Sequence, residues 1–192
     1  MSDSLAMSSA KSRLIEHLLA HSVRTGDFVM KSGQPTTWFI DSKQTACDPL
    51  GIQMITELAL ELIPESATAI GGMTVGADPV AYGVAAVAGT RGRMLRSFTI
   101  RKEAKDHGVQ GRVAGALRPG DEVVVCEDTV TRGSTLADAV NVIREFGAIP
   151  VMMLAVVDRG GSCERIAAEL GLGFAALVTA PDLGFEYEGG LT

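Results

Sequence analysis

The stretch EVVVCEDTVTRGSTL, residues 122–136, decides the fold of this chain. It begins with a β-branched apolar run that leads to two adjacent carboxylates, Glu127 and Asp128, and it continues through a Thr/Gly/Ser segment into a helical pattern. β-Branched residues favour a buried strand, and glycine and hydroxyl residues favour a loop that opens a helix. The stretch therefore predicts a strand, a loop and a helix start, which is the repeating unit of an open parallel α/β sheet.

The two acids and the loop after them suit a phosphorylated sugar. Ligands of open parallel sheets bind beyond the carboxyl ends of the strands, so the acids are expected at the mouth of a site. Adjacent carboxylates can accept hydrogen bonds from vicinal hydroxyl groups, such as those of a ribose, or hold a divalent cation. The loop at residues 129–135 offers hydroxyl groups at a helix N-terminus, where free backbone N–H groups favour a phosphate. The alternative is an ordinary strand-to-helix turn with a Ser or Thr N-cap.

Length and composition limit the other possibilities. The 192 residues suffice for one α/β domain, so a single domain spanning 1–192 is expected. A hydrophobic content of 46% with 21% charged residues is typical of a folded soluble protein. The net charge of -6 argues against extended nucleic-acid binding. The three cysteines are widely spaced and form no CxxC pair, which predicts a protein of the reducing cytoplasm. The sequence has no membrane-length apolar run and no signal-peptide pattern, so no contact with a membrane is expected.

The rest of the chain alternates strands and helices. This predicts a parallel sheet of about five strands with helices on both faces. Residues 1–10, rich in Ser and Ala, are expected to lack regular structure, and a helix and a hairpin follow at about residues 11–45. The hairpin carries Lys31, Trp38 and Phe39 around a KSGQP turn. It is either a small hydrophobic cap or a hood that places an aromatic face and a cation against a planar base.

Three further features could contact anionic groups. GGMTVGAD, residues 71–78, puts three glycines at the carboxyl end of a strand, where the backbone can approach a pyrophosphate closely; a tight turn is the alternative. RKEAKDHG, residues 101–108, is either a solvated basic face or part of a mobile lid over about residues 100–115. Arg159, at the carboxyl edge of a later strand, either pairs with a substrate carboxylate or is a surface residue in a turn.

Four stretches in this order resemble the orotate phosphoribosyltransferase family over about residues 11–180: the hairpin, the glycine turn, the basic run and the central motif. The central motif resembles the 5-phosphoribosyl 1-diphosphate (PRPP) motif that all type I phosphoribosyltransferases share, and the basic run distinguishes the orotate enzymes from the purine enzymes. The resemblance implies the type I phosphoribosyltransferase fold with a small N-terminal hood. It also implies a glycosyltransferase that transfers the 5-phosphoribosyl group of PRPP to orotate, giving orotidine 5'-monophosphate and diphosphate in UMP biosynthesis.

The same resemblance implies a cofactor and a partner. Mg2+ is expected, held mainly by substrate and water, so no dedicated protein ligands for a metal are predicted. A homodimer is expected, in which residues of the lid act in the partner's site. Two other functions remain open at this point: a purine-type phosphoribosyltransferase, and a PRPP-sensing regulator on the same fold.

Roles follow for the residues that match the family's motifs. The catalytic set is Lys102, Lys105, His107 and Asp128. The PRPP-binding set is Thr74, Val75, Arg101, Lys102, Lys105, His107, Glu127, Asp128, Thr129, Val130, Thr131, Arg132, Gly133, Ser134 and Thr135. The orotate-binding set is Lys31, Trp38, Phe39, Thr131 and Arg159.

The chain departs from the family's pattern in the glycine turn. Thr74 and Val75 stand where many relatives have a Tyr-Lys pair, so a lysine contact from this turn to the diphosphate is missing. In the hood, Ile40 and Asp41 replace an aromatic-Asn pair found in some relatives. The resemblance therefore leaves two points open, namely how the diphosphate is held and which hood residues meet the base.

Overall fold

The computed structural model describes residues 2–29, 33, 35–105 and 111–188, with side chains described except at residues 2–8 and 104–105. The helices are α1 Ser2–His21, α2 Lys43–Ala46, α3 Pro49–Leu62, α4 Ala77–Thr90, α5 Ser134–Phe146 and α6 Cys163–Glu169, followed by a short 3-10 helix, Pro181–Leu183. The strands are β1 Val23–Val29, β2 Pro35–Ile40, β3 Ala69–Met73, β4 Arg96–Lys105, β5 Gly111–Gly115, β6 Glu122–Val130, β7 Ile149–Asp158 and β8 Gly173–Thr179. In the described part of the chain, no helix is both long and apolar enough to cross a bilayer.

The main sheet has the strand order β5-β4-β3-β6-β7-β8. The five strands from β4 to β8 in this order are parallel, which confirms the predicted α/β sheet, and β6 lies near its centre. The edge strand β5 pairs antiparallel with β4 and was not predicted. β4 also continues to Lys105 instead of ending near Ile100, because its outer half pairs with β5. The predicted lid at 100–115 therefore has paired strands at its two ends.

Helices cover both faces of this sheet, as predicted. Val123 and Val125 of β6 pack into one buried cluster, and Val124 and Cys126 pack into the other, because successive side chains of a strand point to opposite faces. The first cluster is completed by residues of α5 and α6, and the second by residues of α1, α3 and α4. Burial on both faces explains why this strand is almost uniformly apolar.

The N-terminal segment differs from the prediction at its start. Helix α1 begins at Ser2, whereas residues 1–10 were expected to be irregular, and it ends at His21. The earlier start has a packing reason, since Ala10 is fully buried in the core together with Leu14 and Leu18. Strands β1 and β2 then form the separate two-stranded sheet of the expected hood. Lys31, in the turn between them, lies outside the described residues.

Candidate functional site

A cavity of about 730 Å³ opens at the carboxyl ends of β3 and β6, where the sequence placed the site. The residues that line it come from the hood side, the glycine turn, the β4–β5 hairpin and the central motif. They are Lys43, Met73, Thr74, Val75, Gly76, Lys102, Arg112, Glu127, Asp128, Thr129, Ser134, Thr135 and Asp138.

The acid pair forms the floor of this cavity. Glu127 and Asp128 are only 7% and 5% exposed. Asp128 Oδ2 accepts hydrogen bonds from Ser42 Oγ at 2.9 Å and from Lys43 Nζ at 2.7 Å, and Asp128 Oδ1 accepts one from the Thr129 backbone N–H at 2.8 Å. A buried carboxylate is stable when paired and hydrogen-bonded in this way. Asp128 is thus held in one orientation by two segments that are far apart in the chain.

The two acids differ in their ionisation. Burial, followed by the interaction with Asp128, raises the pKa of Glu127 to about 8. Burial also acts to raise the pKa of Asp128, but hydrogen bonds from Lys43 and Glu127 outweigh it, and that pKa is lowered. Two carboxylates in contact rarely ionise together, so near neutral pH Glu127 keeps a proton while Asp128 is negative.

The glycine turn touches both acids directly. A Cβ atom added at Gly76 would lie 2.1 Å from Glu127 Oε1 and 2.5 Å from Asp128 Oδ1, so any larger residue here would displace the two carboxylates. Thr74 Oγ1 donates to Asp78 at 2.7 Å, and Thr99 Oγ1 donates to the other oxygen of Asp78 at 2.5 Å, so the turn is fixed to helix α4 and strand β4. Close approach to the acids, rather than a tight turn alone, explains the glycine at position 76.

The start of helix α5 distinguishes between the two interpretations of the loop after the acids. The N-cap of α5 is Gly133 at φ 73°, and this position makes no side-chain cap hydrogen bond. The Ser or Thr N-cap interpretation was therefore wrong. Ser134 and Thr135, the first two residues of α5, line the cavity together with Thr129, so the start of the helix borders the cavity, as an anion site requires.

The basic run is divided between two faces of β4. Lys102 lines the main cavity, whereas Arg101 lines a different cavity of about 370 Å³ with Leu117 and Phe146. The structure therefore does not bring Arg101 to the main cavity of its own chain, because neighbouring residues of a strand point in opposite directions, and its predicted PRPP contact stays a prediction. The side chain of Lys105 and all of His107 lie outside the described residues, so their predicted roles stay predictions.

The comparisons with known proteins agree with this geometry. No family model matches the chain. The orotate phosphoribosyltransferase of Nostoc sp. is 35% identical over 183 residues, which cover 95% of this chain and 89% of the relative. A crystal structure of Mycobacterium tuberculosis H37Rv orotate phosphoribosyltransferase in complex with Fe(III) dicitrate superposes with a TM-score of 0.82 at 30% identity, covering 92% of this chain and 99% of that one. Another structure of the same enzyme, in complex with PRPP, gives a TM-score of 0.75 at 26% identity and covers 92% of each chain.

This chain belongs to the orotate phosphoribosyltransferase family. The type I phosphoribosyltransferase fold expected from the sequence is confirmed by the same structures. The Nostoc relative is matched over nearly its whole length, so the family assignment applies to the described chain from the hood to the last strand.

Within this phosphoribosyltransferase, the residues predicted to bind orotate do not form one surface. Trp38 is 3% exposed and lies between the Arg159 guanidinium, 4.6 Å from the ring centre, and Phe185, which stacks on it at 4.4 Å. Phe39 is 46% exposed and contacts Phe28 instead, because alternate residues of β2 point to opposite sides. The two side chains therefore lie on opposite sides of β2, and their predicted contacts with orotate stay predictions.

Arg159 is buried at the end of β7, not in a surface turn. Its side chain is 8% exposed, Nη2 donates to the Trp38 carbonyl at 2.8 Å, and Nη2 lies 2.6 Å from Glu188 Oε2. The Arg159 backbone N–H donates to Val130 O at 2.8 Å, which places this arginine beside the loop at 129–135. Arg159 Nε has no hydrogen-bond partner among the described residues.

Four loop residues of the predicted PRPP-binding set lie differently from the expectation. The side chain of Val130 is 3% exposed and belongs to the core, so this residue can offer a ligand its backbone alone. Thr131, Arg132 and Gly133 are absent from the described lining of the main cavity. The Thr131 carbonyl instead accepts a hydrogen bond from Ser162 Oγ at 3.1 Å.

Several site residues had no signal in the sequence. Ser42 and Lys43 are 86 and 85 positions away from Asp128. Arg112 reaches the cavity from β5, where Nη2 pairs with Asp138 at 3.0 Å and Nε donates to the Arg101 carbonyl at 3.0 Å. No local motif marks these residues, and they were found because packing brings their elements together.

Proposed function

We propose that this chain transfers the 5-phosphoribosyl group of PRPP to orotate, giving orotidine 5'-monophosphate and diphosphate, in the 730 Å³ cavity. The observation that carries the proposal is the pair of buried acids, Glu127 and Asp128, next to a helix start without a side-chain cap, in a chain of this family. The M. tuberculosis relative in complex with PRPP supports the sugar phosphate as the ligand.

The 5'-phosphate would bind at the start of α5. Free N–H groups of the first turn, together with the hydroxyl groups of Thr129, Ser134 and Thr135, offer donors from several directions. The ribose hydroxyl groups would then donate to Asp128, which is negative and already fixed by Ser42 and Lys43. Glu127, which keeps its proton near neutral pH, can donate one hydrogen bond to a ribose oxygen or lose that proton when a cation enters.

The diphosphate would lie between the glycine turn and the β4–β5 hairpin. Lys102 and Arg112 bring positive charge to this part of the cavity, and Lys105 and His107 of the lid are proposed to add more when it closes. Phosphoribosyl transfer passes through an oxocarbenium-like state as the diphosphate leaves. The reaction therefore needs neutralisation of the leaving group and exclusion of water more than it needs a strong base.

Mg2+ belongs to the proposal as a substrate-held ion. Among the residues that the structure describes, no three His, Cys, Asp or Glu side chains are grouped to hold a metal. Asp128 is already paired with Lys43, so the ion would take most of its ligands from diphosphate and water, with Glu127 able to add one oxygen. When bound, Mg2+ would neutralise charge on the departing diphosphate.

Orotate would be recognised through its carboxylate by Arg159. Glu188, a carboxylate from the C-terminal segment, lies 2.6 Å from Arg159 Nη2 and also accepts a hydrogen bond from Thr36 Oγ1. It marks a place where a carboxylate is bound, and Arg159 Nε remains free for a second hydrogen bond among the described groups. The substrate would replace Glu188 with a bidentate pair, while Trp38 keeps the guanidinium plane in position.

The dimer and the cellular location also belong to the proposal. The resemblance supports a homodimer in which each lid acts in the partner's site. Two of the three cysteines, Cys126 and Cys163, are buried and free, which suits the reducing cytoplasm.

An assay of diphosphate release tests the function. Release from PRPP should depend on both orotate and Mg2+, and hypoxanthine and adenine should not replace orotate. Turnover with a purine base and none with orotate would overturn the choice of base. A salt-sensitive affinity for nucleic acid with no turnover on any base would instead favour the PRPP-sensing regulator.

A further inference from the structure

Lys43 connects the hood side of the molecule to the acid pair. It is the first residue of α2, and its Nζ lies 2.7 Å from Asp128 Oδ2. The side chain of Lys43 is 42% exposed, while that of Asp128 is 8% exposed. The ammonium group thus extends along the wall of the cavity to a buried carboxylate and keeps part of its surface open to the cavity.

The ammonium group of Lys43 has N–H donors that Asp128 does not use. A lysine carries three N–H donors, and Asp128 Oδ2 is the acceptor found for them among the described side chains. Because Lys43 lines the cavity, its remaining N–H groups are available to a ligand there. A compact, strongly charged ammonium of this kind is suited to phosphate oxygens.

Orientation of Asp128 does not require Lys43. Ser42 Oγ donates to the same oxygen at 2.9 Å, and the Thr129 backbone N–H donates to the other oxygen at 2.8 Å. These two neutral donors already fix the carboxylate. Against the effect of burial, the hydrogen bond from Lys43 lowers the pKa of Asp128 and so keeps this acid negative, but that role alone does not require a side chain that stays 42% exposed.

The position of Lys43 relative to the glycine turn indicates which group it meets. Gly76 approaches Asp128 Oδ1 and Lys43 approaches Asp128 Oδ2, so the turn and the lysine adjoin one carboxylate. The turn itself, residues 74–76, is neutral, and Val75 is 63% exposed at its tip. Lys43 is therefore a cation beside the turn on its Asp128 side, whereas Lys102 and Arg112 line the cavity from the β4–β5 hairpin.

We propose that Lys43 is a diphosphate-binding residue: it keeps its hydrogen bond to Asp128 and donates its other N–H groups to the diphosphate of PRPP. The proposal rests on the proposed function and assigns to one side chain the charge that residues 74–76 lack. Lys43 would also couple the ribose site to the leaving group, because one ammonium group contacts the acid that holds the sugar and the anion that departs.

Two variants and one control test this role. Lys43→Met removes the charge and keeps a similar length, Lys43→Arg keeps the charge, and Ser42→Ala removes a neutral donor to the same oxygen of Asp128. Calorimetry would measure the binding of inorganic diphosphate with Mg2+, and separately that of ribose 5-phosphate, to the full chain. Circular dichroism and the Tm would show that each variant is folded.

We expect Lys43→Met to weaken diphosphate binding about 10- to 100-fold, the range for a hydrogen bond to a charged group, and Lys43→Arg to restore most of it. Ribose 5-phosphate should bind Lys43→Met nearly as tightly as the wild type, and Ser42→Ala should show the opposite preference. Equal losses for both ligands in Lys43→Met would make Lys43 a clamp for Asp128, and no loss would remove it from the site. Either result overturns the inference, whereas a failure of orotate turnover in the wild type would overturn the proposed function and leave these binding measurements interpretable.

Discussion

Replacing Gly76 with alanine should disable the site without disturbing the backbone. Gly76 has φ -61° and ψ -49°, a right-handed conformation that alanine adopts freely. The new methyl group would nevertheless lie 2.1 Å from Glu127 Oε1 and 2.5 Å from Asp128 Oδ1. Both acids are buried and Asp128 is held by three donors, so neither can rotate away without losing partners.

The size of the effect follows from the distances. An ordinary contact requires more than 3 Å, so the two carboxylates must move by roughly 1 Å, and a displacement of this size in a catalytic group costs about 100-fold in rate. This corresponds to about 2.7 kcal/mol of transition-state stabilisation. We therefore expect kcat/KM for PRPP in Gly76→Ala to fall about 100-fold, with the fold retained.

Gly89→Ala is the matched control in the same helix, α4. A Cβ atom at Gly89 would have nothing within 4 Å. Activity should be unchanged, and the helix should gain about 0.5–1 kcal/mol from the better propensity of alanine. Steady-state assays of both variants at several PRPP concentrations, with Tm values, make the comparison. A Gly76→Ala rate within threefold of the wild type would refute the reasoning that the acids need this close approach.

Three further predictions test individual residues. Because the pKa of Glu127 is raised to about 8 from an ordinary value of 4.5, the folded chain binds more protons than the unfolded chain in this window, and its contribution to stability falls as pH rises. Glu127→Gln should therefore flatten the dependence of the Tm on pH between these values. Arg159→Lys should raise the KM for orotate about 10- to 100-fold by loss of a bidentate pair, whereas Glu188→Gln should lower it by removing an internal competitor, and neither should change the KM for PRPP. Lys105→Ala should lower kcat strongly with little change in Tm, and mixing it with inactive Asp128→Ala should restore activity if the site is shared across a dimer.

Each of these predictions has an outcome that contradicts it. If Glu127→Gln leaves the dependence of the Tm on pH unchanged, Glu127 is not the group whose raised pKa causes that dependence. A higher KM for orotate in Glu188→Gln would make that residue a support for Arg159 and not a competitor. A wild-type rate for Lys105→Ala would make the basic run a solvated face, and a mixture that stays inactive despite verified subunit exchange would argue against a shared site.

Two pairs of predicted site residues were grouped although strand geometry separates their side chains. Arg101 was grouped with Lys102, and Phe39 with Trp38, and in each pair the side chains point to opposite faces of one strand. The period of two would have separated both pairs in the sequence if β4 had been extended past Ile100 and β2 had been treated as a strand with one buried face. Their contacts with substrate stay predictions, and the lid that carries Arg101 was expected to act in a partner's site.

Other features were decided by tertiary packing alone. Lys43 lies 85 residues from Asp128, and Thr36 lies 152 residues from Glu188. Contacts of this kind depend on how whole helices and strands pack on a common core. The sequence around each residue therefore does not indicate its partner. The ion pair that covers Arg159 belongs to the same class, since it needs the C-terminal segment to return to the hood.

The alternation of strands and helices, the acid pair at the carboxyl end of β6 and the Thr/Gly/Ser loop before α5 could all be inferred from the sequence. These depend on interactions within a few residues, namely β-branched runs, a glycine at positive φ and the periodicity of apolar side chains. Three contacts could be seen only in the folded chain: the ion pair of Lys43 with Asp128, the close approach of Gly76 to both acids and the ion pair of Glu188 with Arg159. Those contacts depend on distances between elements, and such distances are set by packing of the folded core rather than by neighbours in the chain.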